Sequence, residues 1–380
     1  MKLLFLGAHP TSEFIRINGS KIDSLYRSDE AIIKGIRCIS KLDVITSPDI
    51  ASFPRNNFYY HSFYDKTDRQ YVVSCLNIPI IKQLWTLLAL LYNSIKYILK
   101  SKDKVTIIIP YIVFKHVMVT RILKILFRKR VSILAIVPDF FFQKSIIRKA
   151  LNDISMFMAK RIDYFVLYTE CMAEYLNIKN EKQYVVIEGF LDIIDREPEF
   201  PKNKFIIAYT GSLNEKYGVI RLLDSMKFLE FEDVELHLYG AGDSVETIKE
   251  RALLDRRIKY GGRVSKEKAT DVIYNSSVLV NPRNSGDGEY VKYSFPSKDI
   301  DYLSTGVPSI LCKLPGMPPS YYGYFIDAGE GTPKELASAI TKIYKTTEKD
   351  RKEIGVKAKN FITNRMNLIR QAESILSLIS

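Results

Sequence analysis

The chain has 380 residues, 47% hydrophobic and 26% charged, a balance that excludes a disordered protein and divides most naturally into two domains of roughly 200 residues each. Four cysteines, Cys38, Cys75, Cys171 and Cys312, show neither CxxC nor Cys/His spacing, which argues against a zinc site or a disulfide framework and for a reducing cytoplasmic setting. The net charge of +13 is unevenly placed, since residues 51–150 carry 17 Lys and Arg against four Asp and Glu. Such asymmetry points to an anionic partner for the first half, a membrane surface or a polyanion, with a solvated basic face as the alternative.

In chain order, Met1 to Gly7 (MKLLFLG) is apolar over too few residues for a secretory leader and reads as a first buried strand at 2–6. Strands follow at 43–46, 105–109, 132–137 and 164–168, separated by helical stretches near 76–100, 113–129 and 143–160. The longest apolar run among these, Leu87 to Tyr92, lies between Lys82 and Lys96 and is far short of a membrane span. The stretch from Lys115 to Arg130 combines helical apolar positions with a cationic face, a pattern attracted to phosphate-rich membranes. The charged, Pro-containing segment from Asp192 to Lys204 reads as an interdomain linker.

Beyond it, Phe205 to Thr210 is a strand, and Val219, Leu222, Leu223 and Met226 recur as one helix face. Further strands are expected at Val234 to Leu238, Ile258 to Tyr260, Val278 to Asn281, Ser309 to Cys312 and Tyr324 to Ile326, with one or two closing helices over 353–380. His237 sits in the alternation of its strand and reads as an ordinary strand position. The expected division is a first domain over 1–195, a second over 205–355, and a closing helix over 356–380 that packs back on the first domain.

Strands alternating with helices in two tandem sets imply α/β architecture with two Rossmann-like domains facing a central cleft. Open parallel sheets bind ligands beyond the carboxyl ends of their strands. His9 and Asp139 directly follow strands of the first half, and on that ground face the cleft as acceptor or catalytic contacts. A dinucleotide dehydrogenase is disfavoured, because Phe5 to Pro10 (FLGAHP) lacks GxGxxG spacing after its strand. In the second half, Ser297 is expected to cap a short helix that stops at Gly306. The positive end of that helix, with Lys298 or Lys292 beside it, suits a phosphate, and Asp301 one turn further suits a ribose hydroxyl.

Five blocks in order, YTGSLNEKYG (209–218), LYGAGD (238–243), IKYGGRV (258–264), NPR (281–283) and FPSKDIDYLSTGVP (295–308), resemble the retaining GT-B glycosyltransferases of family 4. The first half matches only in outline, through IVPD (136–139), YTE (168–170) and IEG (187–189). The resemblance implies a GT-B fold in which the second domain holds a nucleotide diphosphate sugar and the first holds the acceptor, with no metal or other cofactor. Carried over by position, Gly211, Ser212 and Lys216 meet the diphosphate, Lys216 thereby joining His9 and Asp139 among the catalytic candidates. Gly240 belongs to the second block, and Asp301 replaces a glutamate that binds ribose. The family's Glu-x7-Glu pattern is broken here, Tyr293 standing at its first position, and Ser212 stands where an arginine is usual. Lys292, Lys298 or Arg283 then supplies the positive charge, and Glu289 is the carboxylate left to reach the sugar.

The reading is therefore a retaining, metal-independent glycosyltransferase acting on a glycan or lipid-linked saccharide in surface polysaccharide synthesis. It is expected to be cytoplasmic, peripheral at the inner face of the plasma membrane through the basic half. Alternatives are a nucleotide-sugar epimerase of the same fold and a non-catalytic nucleotide-sugar-binding subunit. Nucleic-acid binding is disfavoured, since no helix-turn-helix, zinc-finger or RNP-type motif accompanies the charge.

Overall fold

The computed structural model describes residues 1–18, 24–140, 146–179, 183–191 and 194–379. The chain divides into two units, one formed by Met1–Phe190 with Leu368–Ser380 and the other by Leu191–Asn367.

In the first unit the elements are β1 (Lys2–Gly7), α1 (Ser12–Asn18), α2 (Ser24–Ile39), β2 (Leu42–Thr46), β3 (Tyr59–Tyr60), β4 (Phe63–Asp65), β5 (Gln70–Val72), β6 (Cys75–Leu76), α3 (Ile81–Lys100), β7 (Val105–Pro110), α4 (Phe114–Phe127), β8 (Val131–Val137), α5 (Ile146–Ala159), β9 (Tyr164–Leu167), α6 (Glu170–Tyr175) and β10 (Gln183–Val186). Eight strands form one sheet in the order β10-β9-β8-β7-β1-β2-β5-β4, and β3 with β6 makes a separate pair. All neighbours in the large sheet are parallel except β4 and β5. Every residue of β7 is buried, as expected of a central parallel strand covered on both faces. Helices α3, α4 and α5 lie side by side.

The second unit runs β11 (Phe205–Ser212), α7 (Val219–Ser225), β12 (Val234–Ala241), α8 (Val245–Leu254), β13 (Ile258–Tyr260), α9 (Lys266–Tyr274), β14 (Val278–Asn281), α10 (Ser297–Leu303), β15 (Ser309–Leu311), β16 (Ile326–Asp327), α11 (Pro333–Tyr344) and α12 (Glu348–Arg365). Its six strands are all parallel, in the order β13-β12-β11-β14-β15-β16. Strand order reverses between β11 and β14, so a ligand crevice is expected beyond the ends of those two strands. Leu222, Leu236, Val280, Ile310, Leu336 and Ile340 belong to the core that joins this sheet to its helices. The last helix, α13 (Leu368–Ser377), returns to the first unit and packs on α2.

Several sequence expectations shift. Ser297 is not a cap: the N-cap is Pro296, no side chain caps the helix, and Ser297 is its first residue. The fixed φ of proline suits a helix start and leaves the serine one position too late. Helix α10 ends at Leu303 with Ser304 as C-cap, so left-handed Gly306 (φ 85°) falls two residues beyond that cap. The expected strand at 324–326 begins only at Ile326. The first residues of the helix expected near 143–160 lie outside the described residues, and α5 starts at Ile146. The segment read as a linker is strapped to the second unit over its described part. Arg196 pairs with Asp271 at 2.6 Å, and the Glu199 amide donates to the Tyr274 carbonyl at 2.8 Å.

Candidate functional site

The crevice of the second unit is built where β11 and β14 stop. Gly211 and Gly240 are paired across β11 and β12, and both have strongly positive φ, 129° and 147°. A Cβ on Gly240 would stand 1.7 Å from the Gly211 carbonyl oxygen, so only glycine lets the strand ends lie this close. One on Gly211 would meet Lys298 Nζ at 3.1 Å. The Lys298 ammonium stands over the Tyr209 ring, 3.3 Å from its centroid. Tyr209 is held in turn by its hydroxyl, which donates to the Ser212 carbonyl at 2.7 Å. Helix α10 is tied to the same strand end by Tyr302, whose hydroxyl accepts from the Thr210 amide at 2.9 Å.

Arg283, just past β14, is 8% exposed. Its guanidinium lies 4.6 Å from the centroid of the Tyr290 ring, and its Nε and Nη2 have no hydrogen-bond partner among the described residues. Buried donors of this kind are costly unless something accepts from them. The turn that carries Arg283 is fixed from α7: Arg221 donates to both Asp287 carboxylate oxygens, at 2.8 and 2.9 Å, and to the Pro282 carbonyl at 2.9 Å. Asn284 and Asp287 complete a reciprocal capping box in the same turn.

A buried carboxylate flanks these cations. Asp299 is 1% exposed and accepts from Asn281 Nδ2 at 2.6 Å. Burial pushes its pKa up to about 6, against the Asn281 hydrogen bond and the positive charge of Arg283 and Lys298. Burial likewise pushes Lys298 down to about 7, with Asp299 opposing and Arg283 adding to the shift. Arg283, Lys298 and the glycine turn thus present cationic and backbone groups to one place, an arrangement suited to a diphosphate.

The other expected contacts are distributed around this centre. Lys216 is exposed, with its ammonium 4.9 Å from the centroid of the Tyr217 ring. Ser212 is exposed and accepts from Asn214 Nδ2 at 2.8 Å. Glu289 is exposed and accepts from the Tyr293 hydroxyl at 3.4 Å, and Lys292 is exposed beside it. Ser297 and Asp301 are exposed residues of α10. Asn281, Asp299 and Tyr302 were not among the expected site residues. All three lie in quoted blocks, Asn281 in NPR and Asp299 and Tyr302 in FPSKDIDYLSTGVP, but nothing in the order of residues shows a carboxylate beside a lysine turning inward.

In the first unit, His9 follows β1 but is 4% exposed. Its Nε2 is 2.8 Å from Gln70 Oε1, and its Nδ1 is 3.4 Å from the Asp29 carboxylate. Its backbone is clasped by Thr46, which accepts from the His9 amide at 3.1 Å and donates to the His9 carbonyl at 2.7 Å. His9 therefore ties the end of β1 to the end of β2. Asp139 follows β8, is partly buried, and accepts from the Phe140 amide at 2.8 Å. Among the described residues no group of three or more His, Cys, Asp or Glu could hold a metal ion.

Residues 192–361 match the family model described as Glycosyl transferases group 1. No curated protein matches the chain in sequence. Solved structures resemble it over their whole length. Sucrose-phosphate synthase (tll1590) from Thermosynechococcus elongatus has a TM-score of 0.71 at 14% identity, covering 100% of this chain and 98% of that one. Alr3699/HepE from Anabaena, in complex with UDP, has 0.68 at 16% identity, covering 100% and 99%. The lipopolysaccharide outer core galactosyltransferase WaaB, in its apo form, has 0.63 at 14% identity, covering 99% of each. The chain thus has the α/β fold of the GT-B glycosyltransferases, two Rossmann-like units, of which the second carries the sequence likeness to glycosyl transferases group 1.

Proposed function

We propose that the chain is a nucleotide-sugar glycosyltransferase whose second unit binds the donor through Arg283, Lys298 and the Gly211 turn. The observation that carries this reading is the buried guanidinium of Arg283, with two unpartnered nitrogens among the described residues, on the same strand ends as the desolvated Lys298. A departing nucleoside diphosphate gathers negative charge, and cations fixed in advance stabilise that charge more than they stabilise the ground state. Lys216 and Lys292, both exposed, add charge at the rim. Asp301 accepts from the ribose, and Glu289, with Tyr293, lies on the sugar side. In this reading Arg283 and Lys298 do the work a divalent ion would otherwise do, and transfer proceeds with retention.

The acceptor is a glycan or lipid-linked saccharide held by the first unit, with Asp139, after β8, as its catalytic candidate and His9 positioning the end of β1. The UDP in the HepE structure and the galactosyl transfer named for WaaB make uridine diphosphate sugars the first donors to try.

Titration calorimetry of UDP and related nucleotides with the full chain tests the site. We expect Arg283→Ala and Lys298→Ala each to weaken binding by about tenfold or more, and Lys216→Ala less. Unchanged affinity in both the Arg283 and the Lys298 variant would reject the assignment. Turnover of a donor to an isomeric nucleotide sugar without acceptor would replace transfer by epimerisation, and binding without turnover under a broad acceptor panel would leave a non-catalytic binding protein.

A further inference from the structure

Helix α3 is built the wrong way round for a water-facing helix. The stripe it turns into the protein is Lys82, Thr86, Leu90, Ser94 and Ile98, three of five polar, while its exposed face carries Ile81, Leu84, Trp85, Leu88 and Tyr92. Those exposed positions recur at the spacing of a single helical face. Leu84 and Leu88 are 61% and 52% exposed. Two of the three inward polar groups are satisfied internally: Lys82 Nζ donates to the Ile50 carbonyl, and Thr86 Oγ1 donates to the Lys82 carbonyl at 2.8 Å, while Ser94 Oγ has no partner among the described residues. The inversion is therefore part of the fold.

The neighbouring helices continue the pattern. Ile125 and Leu126 on α4, and Leu151, Ile154 and Phe157 on α5, are exposed. Cations border them: Lys96 and Lys100 on α3, Arg128 and Lys129 after α4, and Lys149 and Lys160 in and after α5 are all exposed. Across the sequences of α3, α4 and α5, Asp153 is the sole acidic residue. An apolar face bordered by cations, with a tryptophan and a tyrosine among its outward side chains, has the composition of a surface that lies in the headgroup region of a bilayer.

We propose that the outer face of α3, α4 and α5 docks on an anionic lipid surface, with Leu84, Trp85 and Leu88 entering the headgroup region. A second copy of the chain is disfavoured as the occupant, because self-pairing of one patch would bring like charges together. No helix among the described residues is long and apolar enough to cross a membrane, so the contact is with one leaflet. The proposal stands apart from sugar transfer, since it needs neither donor nor acceptor.

Trp85 is the chain's single tryptophan, which makes its fluorescence a reporter of this face alone. Full-length protein is mixed with phosphatidylcholine vesicles, with and without phosphatidylglycerol, at low and high salt, and binding is read by sedimentation and by Trp85 emission. We expect binding to the anionic vesicles, a blue shift of the emission, and a fraction of binding that survives high salt, because the apolar contribution is not screened. Leu84→Asp with Leu88→Asp, both at exposed positions, is expected to weaken binding by about tenfold or more at either salt concentration, with an unchanged circular dichroism spectrum and thermal midpoint as the check of folding. No binding to anionic vesicles, binding unaffected by the double substitution, or binding lost completely at high salt with no spectral shift would each overturn the proposal. So would a dimer that forms without lipid and is dissolved by the same substitutions.

Discussion

Lys298 and Asp299 are consecutive in sequence yet turn to different neighbours, the ammonium to the face of Tyr209, 3.3 Å from its centroid, and the carboxylate to Asn281 at 2.6 Å. Burial works against the charge of each, so they are drawn towards neutrality from opposite sides of pH 7.

For Lys298, pushed down to about 7, a diphosphate bound as proposed is expected to restore the charged form. Above pH 7 each binding event therefore takes up a proton, and affinity falls by at most about tenfold per pH unit until the pKa of the complex is reached. Calorimetry in buffers of different ionisation heat measures the uptake directly. Lys298→Arg, charged throughout, is expected to bind without it. Wild-type binding with no proton uptake at pH 8 would place Lys298 away from the phosphates.

Asp299 gives the opposite slope. With a folded-state pKa of about 6 against an ordinary 3.8, the folded chain keeps a proton that the unfolded chain has lost, so stability falls as pH rises through that window. The shift corresponds to a loss of about 3 kcal/mol across the window. Asp299→Asn, which keeps the shape and can hydrogen-bond Asn281 after an amide flip, is expected to lack this contribution. Denaturant midpoints at pH 4 and pH 6 should separate by less in the variant than in the wild type, and equal separations would show that Asp299 ionises freely.

Asp301 tests the ribose assignment. Exposed on α10, it can be replaced with little effect on folding, so a loss belongs to the ligand. Asp301→Ala should lower donor affinity by roughly tenfold, and Asp301→Glu should restore part of it. Normal transfer kinetics in the alanine variant would remove Asp301 from the donor site.

Gly355, within α12, meets the loop after α10. A Cβ there would stand 1.7 Å from the Gly306 carbonyl oxygen, and backbone cannot yield as a side chain does. Gly355→Ala is expected to cost about 2 kcal/mol or more. Gly262→Ala, where the added carbon meets nothing within 4 Å but φ is 75°, should cost about 1 kcal/mol. Chemical denaturation distinguishes them, and a neutral Gly355→Ala would mean that α12 moves off readily.

The parallel strands were legible because β7 and β8 are nearly unbroken apolar runs, the mark of strands covered on both faces. The two-residue strands β3 and β6 were not, since pairing that short leaves no period to read. At the site, the order of blocks pointed to Gly211 and offered Lys292, Lys298 or Arg283 as alternative cations. What it could not show was the inward turn of Asp299, because a carboxylate beside a lysine reads as a solvated pair. Ser297 misled for a related reason: a serine before an apolar helix suggests a cap, but Pro296 already holds that position. The orientation of α3 was equally hidden, since hydrophobic period gives the existence of a face and not which side it meets.

The turn that carries Arg283 is anchored before any ligand arrives, by Arg221 to Asp287 and to the Pro282 carbonyl and by the capping box of Asn284. Its guanidinium has no loop left to order, so encounter with a nucleotide spends little entropy on the protein side. On the proposed donor assignment, capture is expected to be a single kinetic step at a rate set by diffusion and charge, with differences among nucleotides in how long each one stays.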